Sequence, residues 1–310
     1  MKLLILLALP AFAHDPAFEL DGRIEPPAQA SVSIYGVTAP FGDAALTDRD
    51  GRFRFKKLLA GAYTIAALVP GRGEARITVE IGPGTADSRQ RVNITVKLLA
   101  EIFALDPRRG ALISARELAI PDRAYREFDQ AQKALARRDA AAAIAHLEKA
   151  LEIAPQFEPA WNNLGTIAYK QSNFTRAEEC FRRAIAAKSD AYEALVNLGG
   201  VLINTNKLEE AKEYNQHAVL LRPNDALANS QLGMTFFELN QLDDAEKYLD
   251  RARRLDPAHF SHPQLVLMEI HLRRNQPSRA AGDLEDFLKY HPDWPAAEQL
   301  REQMAKWRQP

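Results

Sequence analysis

The chain has 310 residues, enough for two domains, and 46% hydrophobic with 26% charged residues is the composition of folded globular protein, which excludes general disorder. Forty basic residues against forty-one acidic ones leave a net charge of −1, which excludes the strong field that would draw the whole molecule onto nucleic acid or an acidic membrane. Cys180 is the single cysteine, so no intrachain disulfide forms.

The N-terminus has the order of an export signal. Lys2 is the charged start, Leu3 to Leu9 the apolar core, and Ala11-Phe12-Ala13 a small-x-small cleavage site before His14. Residues 1–13 are therefore expected to be removed, leaving an exported protein of the periplasm or the medium. No other stretch approaches the roughly 18 apolar residues of a membrane span, so no integral membrane segment is expected after cleavage.

From Phe18 to Leu98 apolar residues recur every second position: Val32 and Ile34, Phe53 and Phe55, Tyr63 and Ile65, Ile77 with Val79 and Ile81, Val92 with Ile94 and Val96. That is the pattern of half-buried strands. Turn residues separate them at Asp48-Arg49-Asp50-Gly51, Gly71-Arg72-Gly73 and Gly82-Pro83-Gly84. About seven short strands predict a small antiparallel β-sandwich over residues 14–100. The order Gly22-Arg23-Ile24, Ala30 to Tyr35, Ala45 to Phe55 and Leu59 to Ile65 resembles the carboxypeptidase regulatory-like domain over residues 16 to 97. The resemblance implies a transthyretin-like sandwich used as a spacer or docking module. It implies no peptidase chemistry, because no catalytic domain accompanies it.

Residues 101–121 read as a packed inter-domain connector. Leu98, Leu99, Ile102, Phe103, Leu105, Leu112, Ile113, Leu118 and Ile120 are too apolar for a free tether.

A helical-hairpin pattern of 34 residues then recurs five times over 122–293, with Pro155, Pro223 and Pro257 marking its register. The best copies read Ala160-Trp161-Asn162-Asn163-Leu164-Gly165 with Ala177, Cys180, Phe181 and Ala184, then Leu195-Val196-Asn197-Leu198-Gly199 with Ala211 and Ala218, then Asn229-Ser230-Gln231-Leu232-Gly233 with Ala245, Leu249 and Ala252. Ala131, Ala143, Leu147 and Ala150 mark a degenerate copy before them, and Leu267, Ala280, Leu284, Phe287 and Pro292 another after them. The last step carries one extra residue near Ala258 to His262. Gly165, Gly199 and Gly233, like Ala177, Ala211 and Ala245, are expected where two helices cross, and the prolines where second helices end. Trp294 to Trp307, with Leu300 and Met304 at helical spacing, reads as a capping helix over 294–310.

These columns resemble the tetratricopeptide repeat (TPR) family, which implies an all-α solenoid. In that family the first helices line a concave channel, and the residue before Leu-Gly points into it. The resemblance thus assigns Asn163, Asn197 and Gln231 to the channel as three carboxamides able to bond an extended peptide backbone. It is similar to the asparagine ladder of the O-linked N-acetylglucosamine transferase repeats, although Asp129 and Val266 stand at the flanking rungs. Thr166, Tyr169, Lys170, Asn204, Phe237 and Glu238 fall on or near the channel wall. Phe128 and Gln132 depart from the carboxylate-clamp pattern of chaperone adaptors, which disfavours binding of a free C-terminal carboxylate.

No motif for catalysis is present: there is no Gly-x-Ser-x-Gly elbow, Gly-rich phosphate loop or His-Glu-x-x-His helix. His259 and His262 are two ligands short of a zinc site. Asp48-x-Asp50-Gly51 lacks the later glycine and closing glutamate of a calcium loop and reads as a hairpin turn. Cys180 shares a helical face with Ala177, Phe181 and Ala184, as a buried small hydrophobe does. No cofactor or metal is expected. Three functions fit: a non-enzymatic exported scaffold whose channel holds a peptide or helix of a partner protein; an envelope glycan-binding protein working through the sandwich, with the repeats for assembly; or a subunit of an enzyme complex whose chemistry lies in another chain.

Overall fold

The computed structural model describes residues 18–36, 42–70, 73–98 and 119–308. The expected signal at 1–13 and most of the connector lie outside them. At the two ends of this stretch, Leu98 packs against the sandwich core and its N–H donates to Glu25 O at 2.7 Å, while Ile120 is buried among the first helices.

Seven strands form the N-terminal part: β1 (Phe18–Glu25), β2 (Ser31–Gly36), β3 (Gly42–Leu46), β4 (Arg52–Leu58), β5 (Gly61–Val69), β6 (Gly73–Ile81) and β7 (Arg91–Lys97). One sheet has the order β4-β1-β7, the other β3-β2-β5-β6. Alternation places Leu20, Ile24, Val32, Ile34, Phe53, Phe55, Ile65 and Val96 in one core between them. The all-antiparallel expectation needs one correction, because β1 and β7 pair in parallel. The chain leaves β6 in the other sheet and crosses over before β7, so the crossover and not a hairpin sets the direction of β7.

Three local features shape this domain. Asp48 Oδ1 accepts from the N–H groups of Asp50 and Arg52 at 2.9 and 2.8 Å, and Gly51 takes φ +75°. The expected turn is therefore present, but it carries the chain from one sheet to the other instead of closing a hairpin. Gly22 faces Phe53 across the ladder, and a Cβ there would lie 2.1 Å from the ring. In β4, Lys57 at φ +59° shifts the alternation, so that Leu58 follows Phe55 inward. Tyr63 is fully buried, and its hydroxyl donates to Leu59 O at 2.9 Å. Burial raises the Tyr63 pKa above the ordinary phenol value.

Eleven helices follow among the described residues: α1 (Asp122–Ala136), α2 (Ala140–Ile153), α3 (Glu158–Lys170), α4 (Phe174–Ala187), α5 (Tyr192–Asn204), α6 (Leu208–Leu221), α7 (Ala226–Glu238), α8 (Leu242–Leu255), α9 (Pro263–Arg273), α10 (Pro277–Tyr290) and α11 (Ala297–Trp307). They pair as five hairpins and a last helix. The glycines stand at close crossings, where a Cβ on Gly165 would meet the Phe181 ring at 2.5 Å and one on Gly233 would meet Leu249 at 2.7 Å. Ala177, Ala211 and Ala245 are fully buried opposite them. Within each hairpin the first helix closes on a left-handed residue: Arg138, Ser172, Asn206, Asn240 and Asn275, all at φ between 56° and 62°. The next N–H then reaches back to the last turn, as Asn173 N does to Ala168 O at 2.9 Å and Gln241 N to Phe236 O at 2.8 Å. Asp139, Asn173 and Asp225 cap helix N-termini through their side chains.

The capping helix begins at Ala297, later than expected. Trp294 stays in the preceding turn, edge-on to Phe287 at 5.1 Å, and Leu300, Met304 and Trp307 are half-buried.

One compact unit holds the strands together with the helices from Leu267 onward, and Ala104–Val266 form the other. In the first, Asp293 Oδ2 accepts from Gly84 N at 2.8 Å, and His291 Nδ1 lies 3.8 Å from Glu80 Oε2. A Cβ on either Gly82 or Gly84 would come within 2.6 Å of the Asp293 carboxylate. No helix among the described residues is long and apolar enough to cross a membrane.

Candidate functional site

The assigned channel residues all lie on first helices: Asn163, Thr166, Tyr169 and Lys170 on α3, Asn197 and Asn204 on α5, Gln231, Phe237 and Glu238 on α7. In each helix the opposite stripe is buried, for example Leu164 and Ile167 in α3 and Leu198 and Leu202 in α5, so the remaining polar stripe faces outward from the core.

The carboxamides are not three equal rungs. Asn163 is half-buried and stands without a side-chain hydrogen bond, whereas Asn197 Nδ2 donates to Asn162 Oδ1 at 3.0 Å. Gln231 is also half-buried, with its Nε2 3.0 Å from where a Cβ of Gly200 would stand and its Oε1 buried without a partner. One turn further along, Asn204 Nδ2 donates to the Tyr169 hydroxyl at 2.9 Å, and the Tyr169 ring lies edge-on to Phe174 at 5.6 Å. Thr166 Oγ1 donates to Asn162 O at 2.9 Å, Phe237 is half-buried, and Lys170 and Glu238 are exposed. Asn162 and Gly200 are thus part of this face although no motif singled them out. The signal for Asn162 was a spacing of 35 residues, shared by the pairs Asn162–Asn197 and Tyr169–Asn204.

Behind this face, second helices carry an ion network. Arg182 bonds Glu178 and Glu210 at 2.9 and 2.5 Å, and Lys207 Nζ bonds Glu178 at 2.8 Å. Burial pushes the Glu178 carboxyl up, but the bonds from Lys207 and Arg182 outweigh it and hold its pKa below the usual carboxylate range.

The two histidines of the long loop do not converge on a metal. His259 is buried and its Nδ1 meets Ser261 Oγ at 2.6 Å, with Ser230 Oγ 2.6 Å beyond, while His262 takes φ +50°. Burial lowers the His259 pKa to about 4, against a smaller upward pull from Asp225. Among the described residues no cluster of three metal-ligating side chains is present. Cys180 is buried among apolar neighbours, and burial raises its thiol pKa, so it is packed as its helical face implied.

Comparison with known proteins matches the helical part. The model of the cilia and flagella-associated protein 70 middle TPR-like domain matches residues 126–264. Among solved structures, PilW, described as a widely conserved type IV pilus biogenesis factor, is 24% identical with a TM-score of 0.53, covering 59% of this chain and 85% of its own. MamA from Desulfovibrio magneticus RS-1, from residue 41 to its end, is 19% identical with a TM-score of 0.52, covering 57% and 99%. YrrB, described as a TPR protein with an unusual peptide-binding site, is 23% identical with a TM-score of 0.50, covering 61% and 98%. At such identities the likeness is one of fold. No curated protein matched the sequence. Hairpin geometry, family model and solved structures agree that residues 126–264 have a TPR-like fold, following an N-terminal two-sheet β region in the sequence.

Proposed function

We propose that this protein is a non-enzymatic, exported interaction scaffold whose channel of first helices holds an extended peptide or helix of a partner protein. The observation that carries this reading is the outward stripe of α3, α5 and α7. There the half-buried Asn163 makes no side-chain hydrogen bond and the Tyr169 ring is exposed on the same helix, which suits a main chain flanked by apolar side chains. The described peptide site of YrrB, a protein of like fold, supports it. The domain limits we propose are a signal at 1–13, a carboxypeptidase regulatory-like sandwich at 14–100 as spacer or docking module, a connector at 101–121, the solenoid at 122–293 and its cap at 294–310. Protein is the proposed partner, and nucleic acid is not.

The glycan-binding alternative loses its aromatics. Phe53, Phe55 and Tyr63 are all buried, and Tyr35 is the exposed aromatic of the described strands.

In-cell crosslinking with mass spectrometry tests the reading, comparing the wild type with an Asn163→Ala, Asn197→Ala, Gln231→Ala variant of matched helicity and melting. Capture of one envelope protein by the wild type and its loss from the variant is the expected result. An identical catch from both overturns the channel as the binding site.

A further inference from the structure

Successive hairpins meet at joints, and three of the four joints between α2 and α9 share a bond that side-chain type conceals. Trp161 Nε1 donates to Pro155 O at 2.7 Å, Asn229 Nδ2 to Pro223 O at 2.9 Å, and Gln264 Nε2 to Pro257 O at 2.7 Å. An indole, a short amide and a long amide thus do one job. Each ties the first turn of a new hairpin to the carbonyl where the previous one ended. The separation is six residues in the first two cases and seven in the third, where the loop carries its extra residue and the longer glutamine makes up the reach.

The joint between α4 and α5 differs. Ser189 stands where the prolines stand, and Leu195, at the position of the donors, has no side-chain N–H to give. Proline also restricts the residue before it and itself, so its loss frees the backbone twice. The apolar core continues across this joint through Phe181, Leu198 and Leu202 and through Ala184 and Ala194, and the hydrogen bonds that span it are side chain to side chain. On the outward stripe are the bonds Asn197–Asn162 and Asn204–Tyr169; on the second helices are the ion pairs Lys207–Glu178 and Arg182–Glu210. The ion pairs are partly exposed and exchange readily with water.

We propose that the α4–α5 joint is a built-in hinge of the helical array. The hairpin α3–α4 and the hairpin α5–α6 part there on the channel side, breaking Asn197–Asn162 and Asn204–Tyr169 and pivoting on the ion pairs. The α2–α3 and α6–α7 joints stay closed because Trp161 and Asn229 hold the carbonyls where the previous hairpins end. The inference stands whether or not the channel binds a peptide.

Each joint contains its own reporter, an N–H that donates to the last residue or two of the preceding helix end: Phe157 to Ala154 O, Ala191 to Lys188 O, Asp225 to Arg222 O and His259 to Asp256 O, at 2.9 to 3.2 Å. Hydrogen exchange of the full chain, corrected for intrinsic rates, reads all four at once. The expected result is that Ala191 exchanges on the order of tenfold faster than Phe157 and Asp225, the scale of one net hydrogen bond. In a Ser189→Pro, Leu195→Gln variant, which installs the staple, Ala191 should fall to the level of the other joints. Lys188 already has the φ −146°, ψ 104° that a following proline requires. Should that variant misfold, Asn229→Leu asks the converse question by removing a staple, and Asp225 should then exchange as fast as Ala191. Equal protection of Ala191, Phe157 and Asp225 in the wild type overturns the hinge, and so does a folded staple variant in which Ala191 is unchanged.

Discussion

Lowering the pH should weaken the array at one identifiable point, the loop between α8 and α9. His259 is 4% exposed, and burial depresses its pKa from 6.5 to about 4. Only the neutral ring fits, because Nδ1 accepts from Ser261 N at 3.2 Å and faces Ser261 Oγ at 2.6 Å. Asp225 is the charge that opposes the shift. The unfolded chain protonates this histidine near 6.5 and the folded one near 4. Stability from the neutral ring is therefore complete above pH 6.5 and is lost as the pH falls through the interval down to about 4. At about 1.4 kcal/mol per pH unit the loss amounts to roughly 3 kcal/mol. Urea unfolding at pH 7 and pH 4, for the wild type and for His259→Gln, isolates this term as a difference of differences, since the carboxylates and the other histidines are common to both proteins. The wild type should lose about 3 kcal/mol more than the variant between the two pH values. Equal losses would refute the assignment, as would an NMR titration of the His259 ring with a midpoint near 6.5.

Four further outcomes follow from packing and backbone geometry. Gly165→Ala should cost about 1–3 kcal/mol in chemical unfolding, because its Cβ would meet the Phe181 ring at 2.5 Å, whereas Gly200→Ala should be neutral or stabilising by up to about 1 kcal/mol, since only the flexible end of Gln231 stands in the way. Asn215→Leu should stabilise by about 1 kcal/mol and raise the melting temperature by a few degrees, because Asn215 is fully buried with Oδ1 unpartnered at the place where Leu147, Phe181 and Leu249 pack in neighbouring hairpins. Thr235 Oγ1, which loses Asn215 as a partner, keeps its bond to Gln231 O at 2.8 Å. Arg138→Gly should add about 0.5–1 kcal/mol in the same assay, since Arg138 holds φ +62° at the position where Asn206, Asn240 and Asn275 stand in later hairpins.

What the sequence made legible is what sterics forces on residue type. A crossing of helices that leaves no room for Cβ demands glycine, and a helix end next to a neighbour tolerates proline, so Gly165, Gly199, Gly233, Pro155, Pro223 and Pro257 announced the hairpins. Alternation did the same for the sandwich core. Features that depend on backbone direction or on an interchangeable donor were silent. Nothing local distinguishes a strand that pairs in parallel, so the β1–β7 pairing was missed. Arg138 and Ser172 take the same left-handed turn as three asparagines without looking like them. Trp161, Asn229 and Gln264 share a bond but no chemistry beyond an N–H. For the channel, position on the helix was readable from the repeat, but the partner each amide would choose was not. Asn197 turns to Asn162 because helices one repeat apart bring residues 35 apart side by side.

The bond from Gly84 N to Asp293 joins residues 209 apart in the chain, and this bears on the order in which the molecule is made. A ribosome releases the strands long before residue 293 exists, so in any sandwich formed by then the Gly84 N–H bonds to water. Only when the fifth hairpin emerges does the carboxylate arrive that replaces that water. Closing so long a loop costs little more entropy than closing one half its size, about 0.6 kcal/mol per doubling. The delay is thus one of synthesis and search more than of free energy, and the nascent chain passes through a stage in which the strands are translated and the carboxylate that bonds Gly84 is not.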